Sequence, residues 1–342
     1  MFVRPIQIED HAAVLELARQ AGFGMTSLPP DADVLKEKIE KAVKSFAGTV
    51  EHKSDEGYLF ILEDPDTGNV AGISGIKCHI GLRQPFYSYK LATITQSSQE
   101  LNLFSMQKVL HAVNDYTGAT EVASLFLSPE YRRDRMGRFL SRVRFLVIAE
   151  YAERFDDRVI SEIRGVNDAE GKSPFYNGIA RHFFQMEFKD ADYLNATKGN
   201  QFITDLMPKY PIYVSLLPKS ARDTIGQPNV ASAPAVGLLE AEGFRWRDYV
   251  DIFDGGPTLE ASRSDIKTVK ESRNAEIVEI YEASRGEKFM LGTTRKLAEF
   301  RATIDRMEVK ESGDKMDKIA LLKRGADRLG VKEGDVIRYA KA

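Results

Sequence analysis

Residues 125–145 constrain the fold more than any other part of the chain. The apolar run that ends at Leu127 predicts a β-strand, an arginine-rich turn follows, and Gly137 opens an apolar segment that predicts a helix. A helix that begins at the end of a strand presents backbone N–H groups and partial positive charge. The segment therefore predicts an α/β fold with a site for a phosphate group. A solvated, arginine-rich helix start is the alternative that this segment alone leaves open.

Six arginines in or just after the turn are expected to supply counter-charge for that phosphate, at positions 132, 133, 135, 138, 142 and 144. The pattern resembles motif A of the GNAT acyltransferases, Arg/Gln-x-x-Gly-x-Gly/Ala, whose turn binds the pyrophosphate of coenzyme A. Arg132 and Gly137 match the first and last motif positions, whereas Arg135 stands where the first glycine usually lies. The resemblance implies that the cofactor-binding residues are Leu125, Phe126, Leu127, Arg132, Arg133, Asp134, Arg135, Met136, Gly137 and Arg138.

Composition excludes several classes of function. The 48 basic and 51 acidic residues nearly balance, so no global charge points to nucleic acid or to a membrane surface. The single cysteine, Cys78, rules out intramolecular disulfides and a cysteine-based metal site, and the five histidines have no metal-ligand spacing. No apolar run approaches membrane-spanning length. We therefore expect a cytoplasmic protein without a metal or a permanently bound cofactor.

Hydrophobic periodicity predicts the order of the elements along the chain. The predicted order begins with a short strand, helices over 9–21 and 31–48, and a hairpin over 58–62 and 70–76. An insertion over 80–118 follows, with a helix near 103–113. After it come a strand over 121–127, a helix over 138–154, a strand over 158–163 and a helix that starts at 173–174. Many α/β proteins begin in this order, and the GNAT fold is one of them. Together with the resemblance to motif A it implies an α/β (α+β) GNAT-like fold, in which helices flank a mixed central sheet.

Residues 173–184 and 233–244 look alike. Each predicts a short helix that leads into an aromatic-rich strand, and the second resembles the segment that closes many GNAT domains. The acyltransferase domain is either partly duplicated, or the two segments are unrelated helix-to-strand turns. We predict a GNAT-like domain over residues 1–257 and a small β-rich appendage over residues 258–342.

The chain resembles the bacterial arginine N-succinyltransferases and the related arginine/ornithine succinyltransferase subunits from the first strand to about residue 260. The resemblance is carried by residues 62–68, 99–102, 162–165, 205–213 and 249–257, and the appendage matches poorly. It implies succinyl transfer from succinyl-CoA to the α-amino group of L-arginine, in arginine catabolism. The family places acyl-CoA binding at the leucine that corresponds to Leu125.

The proton donor that the family resemblance implies does not match. In the family it is a histidine in a segment that follows Ile-Gly-Gln, and the corresponding run here leads to Asn229. An amide donates a hydrogen bond but does not shuttle a proton at neutral pH. Another group has that role, or the reaction tolerates its absence, or the acceptor differs.

Acyl transfer from a thioester to an amine needs a proton acceptor, an oxyanion donor and a proton for the leaving thiolate. The catalytic candidates are Glu121, Glu162 and Tyr176, and the substrate-binding candidates are Glu162, Arg164, Asp251 and Asp254. Carboxylates suit a guanidinium group, and an arginine suits an α-carboxylate. Structural ion pairs would explain the charged residues equally well, and packing would explain Tyr176.

Cys78 has no histidine beside it, so we expect direct transfer in a ternary complex without an acyl-cysteine. The expected partners are a small-molecule amine and acyl-CoA, succinyl-CoA in particular, within a homo- or hetero-oligomer. Two alternatives stay open: transfer to another cationic amine such as ornithine or a polyamine, and a non-catalytic subunit that pairs with a catalytic homologue.

Overall fold

The computed structural model describes residues 1–22, 25–168, 170–199 and 201–342. Its strands are β1 (Phe2–Pro5), β2 (Gly57–Glu63), β3 (Val70–Lys77), β4 (Ser88–Ser98), β5 (Leu103–Val113), β6 (Thr120–Leu127), β7 (Arg158–Glu162), β8 (Ile212–Tyr213), β9 (Arg245–Asp251), β10 (Pro257–Ser262), β11 (Arg273–Tyr281), β12 (Glu287–Thr293), β13 (Ala302–Glu311), β14 (Asp317–Leu322) and β15 (Val336–Lys341). Its helices are α1 (His11–Ala21), α2 (Ala32–Ala47), α3 (Met136–Glu150), α4 (Pro174–Gly178), α5 (Arg181–Phe184), α6 (Phe188–Lys198), α7 (Gln201–Leu206), α8 (Lys219–Arg222), α9 (Ala233–Ala241), α10 (Lys267–Glu271) and α11 (Lys323–Leu329).

The central sheet is mixed, as predicted. Its strands run in the order β1, β2, β3, β6, β7, β10, β9, β4, β5 and β8. Within it β6 and β7 are parallel, whereas the other neighbouring strands are antiparallel. Helices α1 and α2 pack on β2, β3 and β6, and α3 packs on β3 and β6. This arrangement confirms the GNAT-like α/β fold and brings the end of β6 to the start of α3.

The local sequence explains the helices nearest the site. Asp31 accepts hydrogen bonds from the backbone of Asp33 and Val34 and so caps α2, which ends at Gly48 in a left-handed conformation. Apolar residues at helical spacing on α2, including Leu35 and Ile39, are buried against the sheet. Both helices predicted before the hairpin, and the hairpin itself, are confirmed.

The β-rich C-terminal appendage is confirmed, and its strands close on themselves. Strands β12, β15, β11, β14 and β13 hydrogen-bond in that order, and β13 pairs again with β12. The five strands therefore form a small barrel, filled by buried side chains such as Ile277, Leu291 and Ile319. Strand β13 also pairs with β1. The boundary at residue 257 stays a prediction.

Two expectations of secondary structure are wrong. Residues 103–113 form strand β5 rather than a helix, because they pair along their whole length with β4 across a turn at Asn102, which has a φ of 46°. Pairing with β4 therefore decided the structure of residues 103–113, although their apolar pattern had predicted a helix. Residues 181–184 and 188–198 form helices α5 and α6, so no aromatic strand follows the first of the two similar segments. Their aromatic rings pack instead among helices α4 to α7, which are called the helical insertion below and are distinct from the predicted insertion over 80–118.

Candidate active site

Strands β6 and β7 diverge and leave a cleft between them. Their ladder ends at the pair of Glu121 with Ile160, and one position further the Ser161 hydroxyl donates to the Val122 carbonyl at 3.0 Å. Beyond that point β7 pairs with β10 on its other side, while β6 stays paired with β3. The edge of β6 from residue 123 to 127 therefore faces the cleft with its backbone groups.

A β-bulge lies on this open edge. Ser124 is buried and has a φ of 53°, and the register with β3 shifts there, so that Ser124 and Leu125 together face Ser74. A bulge re-aims the backbone of the strand that contains it. The backbone at Ser124 and Leu125 is thus displaced from regular pairing with β3.

The turn after β6 has the conformation that the glycine motif requires, although arginine replaces the glycine. Asp134 and Arg135 have φ values of 51° and 60°, and Arg135 precedes the first residue of α3. Two successive left-handed residues before a helix form a concave turn of backbone N–H groups, which suits an anion. Arg135, which departs from the motif in sequence, therefore has a backbone conformation that the motif's glycine would also adopt.

Four arginines surround this turn without an ion pair to any described residue. Arg132, Arg133 and Arg135 are exposed and Arg138 is half-buried. The Arg132 Nε donates to the Leu127 carbonyl at 3.0 Å, which holds that side chain against the end of β6. The turn therefore carries unneutralised positive charge beside the first N–H groups of α3.

Arg142 and Arg144 lie elsewhere, contrary to the prediction that they supply counter-charge at the turn. Arg142 is buried in an ion pair with Glu242 at 2.8 Å. Arg144 is fully buried and donates to Ser141 and, at 3.4 Å, to the Ala123 carbonyl. The two side chains leave α3 on different sides, and the helix is buried all round from Phe139 to Ile148, so neither of them faces the phosphate site.

At the end of β7, two loops pack together and bring buried acidic residues close to one another, a group that is called the acidic pocket below. The Asp254 carboxylate accepts hydrogen bonds from the backbone N–H groups of Gly165 at 2.7 Å and Gly256 at 2.8 Å. A Cβ atom on Gly165 would lie 2.4 Å from the Asp254 carbonyl oxygen, and one on Gly256 would lie 2.0 Å from the Ile163 carbonyl oxygen. Glycine at both positions permits this close backbone approach.

The three carboxylates of this pocket are not equivalent. Asp254 uses both oxygens on backbone N–H groups, and Asp251 uses one oxygen on the N–H groups of Phe253 and Asp254. Glu162 Oε1 is buried and has no hydrogen-bond partner among the described residues. Glu162 is therefore the acid with a buried oxygen left for a ligand, whereas the Asp251 side chain also interacts with that of Asp254.

Burial raises the pKa of all three carboxyls. For Glu162 the rise is large, because the negative charges of Asp251 and Glu121 add to the effect of burial while Lys77 opposes it. The pKa values of Asp251 and Asp254 are raised as well, with burial again the largest cause. The raised pKa values mean that ionisation of these buried carboxyls is unfavourable, and a cationic ligand beside them would favour their ionised forms.

Two lysines adjoin the acids, and neither was identified from the sequence. Lys77 Nζ contacts the Glu121 carboxylate at 2.8 Å, at the start of the β6–β7 cleft. Lys38 of α2 donates to the carbonyls of Thr26 at 3.0 Å and Ser27 at 3.3 Å. Lys77, Lys38 and Glu121 influence one another electrostatically. No local motif marks them, because three separate elements bring them together.

Asp192 of α6 is a further acid that the sequence did not reveal. Burial raises its pKa to about 6, Arg164 opposes that rise, and Asp251 adds to it. The helical insertion therefore contributes a charged side chain to the wall of the pocket. Glu121, Glu162, Asp251, Asp254 and Arg164 lie close enough to influence one another electrostatically, and their roles stay predictions.

Tyr176 lies apart from these groups. It is fully buried in the aromatic cluster of the insertion, and its hydroxyl donates to the Met186 carbonyl at 3.3 Å. Burial raises its pKa to about 12, with Glu187 adding to the rise. This environment favours the packing interpretation over a catalytic one, since the hydroxyl already has a structural partner.

Asn229 lies next to the pocket but is occupied with backbone contacts. Its N–H donates to the Arg164 carbonyl at 2.8 Å, and its side-chain oxygen accepts from the Ala231 N–H at 2.9 Å. The residue thereby fixes the turn that leads into α9. A hydrogen-bonded amide at this position aligns the loop beside Arg164.

Other features of the described residues give no second site. Within the described ranges no three potential ligands group together as a metal site would require, and no helix is long and apolar enough to cross a membrane. Cys78 is buried, which raises the pKa of its thiol. Clefts of about 480 and 750 Å³ lie beside Arg158 and Arg301, away from the β6–β7 opening.

Comparison with known proteins gives a consistent result. Residues 1–268 match the family described as arginine N-succinyltransferase beta subunit. The arginine N-succinyltransferase of Yersinia pestis is 40% identical over 99% of this chain and 97% of that protein, and the Escherichia coli enzyme is 44% identical over 82% and 81%. The structure of arginine/ornithine succinyltransferase subunit AI from Pseudomonas aeruginosa matches with a TM-score of 0.89 and 35% identity, over 99% of this chain and 98% of that one. Similarity thus extends past residue 260, where the sequence motifs ended.

Proposed function

The chain belongs to the arginine N-succinyltransferase family and is an acyl-CoA-dependent acyltransferase; from this premise we propose that it transfers the succinyl group of succinyl-CoA to the α-amino group of L-arginine. The products are Nα-succinyl-L-arginine and CoA, in a route of arginine catabolism. The observation that carries this proposal is the acidic pocket at the mouth of the β6–β7 cleft, which suits a cationic acceptor.

Succinyl-CoA binds along the open edge of β6. The turn from Arg132 to Arg138 holds the pyrophosphate, with N–H groups from the left-handed turn and the start of α3, and with Arg132, Arg133 and Arg135 as exposed counter-charges. The thioester carbonyl lies against the bulge at Leu125. A backbone N–H there stabilises the oxyanion of the tetrahedral intermediate, an interaction worth about 3 kcal/mol in enzymes where one such donor was removed.

The acceptor lies in the acidic pocket with its α-amine toward the thioester. Asp251, whose pKa is raised by burial, binds the guanidinium group, and Arg164 supplies a cation for the α-carboxylate. Glu162 accepts the proton of the α-ammonium group, directly or through a water molecule. Its unpartnered oxygen and raised pKa support this role, because a more basic carboxylate is the better proton acceptor.

Transfer proceeds directly within a ternary complex. The neutral amine attacks the thioester carbonyl, the C–N bond forms, the C–S bond breaks, and the thiolate receives a proton from the site or from solvent. Cys78 is buried, and its raised pKa disfavours the nucleophilic thiolate, so a covalent acyl-enzyme has no support.

Steady-state kinetics of the purified chain test this proposal. Free CoA thiol is measured while succinyl-CoA and arginine are both varied, and intersecting double-reciprocal lines are expected. Parallel lines would contradict direct transfer, and no turnover by the chain alone would favour a non-catalytic subunit.

The position of Asn229 motivates a second candidate, transfer to ornithine or a polyamine. A higher kcat/KM with either amine than with arginine would favour that candidate.

The oligomeric state is a separate proposal. The β4–β5 hairpin ends in exposed apolar side chains, with Leu101, Leu103, Phe104 and Met106 all more than half exposed. Strand β5 pairs with β8 at Val109 and Leu110, so its outer edge near the tip is open. Identical open edges can pair about a twofold axis. We propose that two copies associate there, and sedimentation of the wild type and of Phe104→Ser checks it: a dimer that the substitution dissociates is expected.

The cytoplasm is the proposed location. The chain has one cysteine, and intracellular enzymes typically contain few structural disulfides. Fractionation of cells that produce the tagged chain tests this, since activity in the cytoplasmic fraction is expected.

A further inference from the structure

Lys38 lies in the wall of the site without a carboxylate partner. Its half-buried ammonium donates to the carbonyls of Thr26 and Ser27, and no described carboxylate lies within ion-pair distance of it. An ammonium group has three N–H donors, so one donor is left after these two hydrogen bonds. By contrast, Lys77 is engaged with Glu121 at 2.8 Å. Lys38 is therefore the cation at this end of the cleft that retains capacity for an anion.

The same loop connects Lys38 to the bulge of β6. The Ser27 carbonyl accepts from Lys38 Nζ at 3.3 Å and also from the Ser124 hydroxyl at 3.3 Å. Two hydrogen bonds thus separate the ammonium group from the residue that precedes Leu125. The cation is held close to the place where the acyl group of the donor must lie.

The succinyl group has the length to reach this cation. Its free carboxylate is two methylene groups away from the thioester carbonyl, a span of roughly 4 Å at ordinary C–C bond lengths. A salt-bridged hydrogen bond adds about 2.8 Å. Since Lys38 Nζ and Ser124 Oγ each lie 3.3 Å from the Ser27 carbonyl oxygen, the ammonium group is within this reach of the Ser124 side chain.

We propose that Lys38 selects the acyl donor by binding the free carboxylate of the succinyl group. The inference rests on the proposed function, because it assumes that the thioester lies at the Leu125 bulge. Burial lowers the pKa of Lys38 to about 7, Lys77 adds to that effect, and Glu121 opposes it. A carboxylate bound to the ammonium group would favour its charged form. The α-carboxylate of arginine is the competing anion, and the proposed function assigns it to Arg164.

The test compares acyl donors and acceptors in matched variants. Lys38→Met removes the charge and keeps most of the volume, Lys38→Arg keeps the charge, and Lys36→Met is a control on the exposed side of the same helix. With arginine as acceptor, Lys38→Met should lower kcat/KM for succinyl-CoA roughly 10- to 100-fold and leave the slower reaction with acetyl-CoA within about 2-fold. Lys38→Arg should retain most succinyl-CoA activity, and Lys36→Met should match the wild type.

Other results would overturn the proposal in distinguishable ways. Equal losses with succinyl-CoA and acetyl-CoA would mean that Lys38 only supports the loop of Thr26 and Ser27. A loss with arginine but not with agmatine, which lacks the α-carboxylate, would assign Lys38 to the acceptor. Wild-type enzyme that is inactive with every acyl donor would instead contradict the proposed function itself.

Discussion

The two ends of the β6–β7 cleft are built in opposite ways. The turn after β6 is exposed, and its arginines are unpaired among the described residues because water solvates them. The pocket at the end of β7 is buried, and its carboxyls have raised pKa values for that reason. Exposed charges destabilise the folded protein little, so the arginines of the turn can be charged before the ligand binds. Buried charge of one sign destabilises the unliganded protein, and a cationic substrate removes that cost.

Glu162→Gln, at the acidic end of the cleft, should have the largest effect on activity. It removes the proposed proton acceptor, so kcat/KM for arginine should fall about 100-fold or more, while the affinity for CoA measured by titration stays unchanged. Because burial raises the pKa of Glu162, its ionised form destabilises the folded state, and the unliganded variant should melt higher than the wild type at pH 8. Glu37→Gln, on the exposed side of α2, serves as the control. A variant with normal arginine kinetics would remove Glu162 from the mechanism.

Arg135→Gly, at the exposed turn on the other end of the cleft, should have a smaller effect. Glycine suits a φ of 60° better than arginine does, so thermal unfolding should show a gain of up to about 1 kcal/mol. Loss of one exposed guanidinium should weaken CoA binding only about 2- to 5-fold and leave the KM for arginine unchanged. Arg135→Lys keeps the charge and the strained backbone, and so separates the two effects. A destabilised Arg135→Gly protein would contradict the assigned conformation.

Tyr176→Phe should have the smallest effect. Its hydroxyl donates to the Met186 carbonyl within the insertion, so the loss of stability should be at most about 1 kcal/mol. The kcat with arginine should stay within about 2-fold of the wild type. A fall of two orders of magnitude in kcat would instead identify Tyr176 as the acid that protonates the thiolate.

The two ends of the cleft also differ in how far the sequence could predict them. The strand, turn and helix around Gly137 are consecutive in the chain, so local pattern predicted them. The left-handed conformation of Arg135 was hidden because arginine seldom adopts it. Asp251 and Asp254 were proposed because an arginine acceptor needs carboxylates and because they fall in a stretch shared with the family, since nothing local distinguishes them from exposed acids.

The residues that were missed come from distant segments. Lys38, Lys77 and Asp192 lie on α2, β3 and α6, and the tertiary fold alone brings them to one site. The error at residues 103–113 has a related cause, because pairing with β4 decided the structure of a run whose periodicity was ambiguous. Arg142 and Arg144 were assigned to the turn by proximity in sequence, and the geometry of α3 buried them.

The pH dependence of ligand-induced stabilisation tests the central claim most directly. Because the pKa of Glu162 is raised in the folded protein, the unliganded protein binds more protons than the unfolded chain above the ordinary value of 4.5, and it loses stability as the pH rises. Arginine binds the ionised pocket, so its thermal shift should grow between pH 5 and 8. The shift with CoA, which lacks the succinyl carboxylate, should stay nearly constant. An arginine shift that is flat or falls over this range would contradict the acidic pocket as the acceptor site.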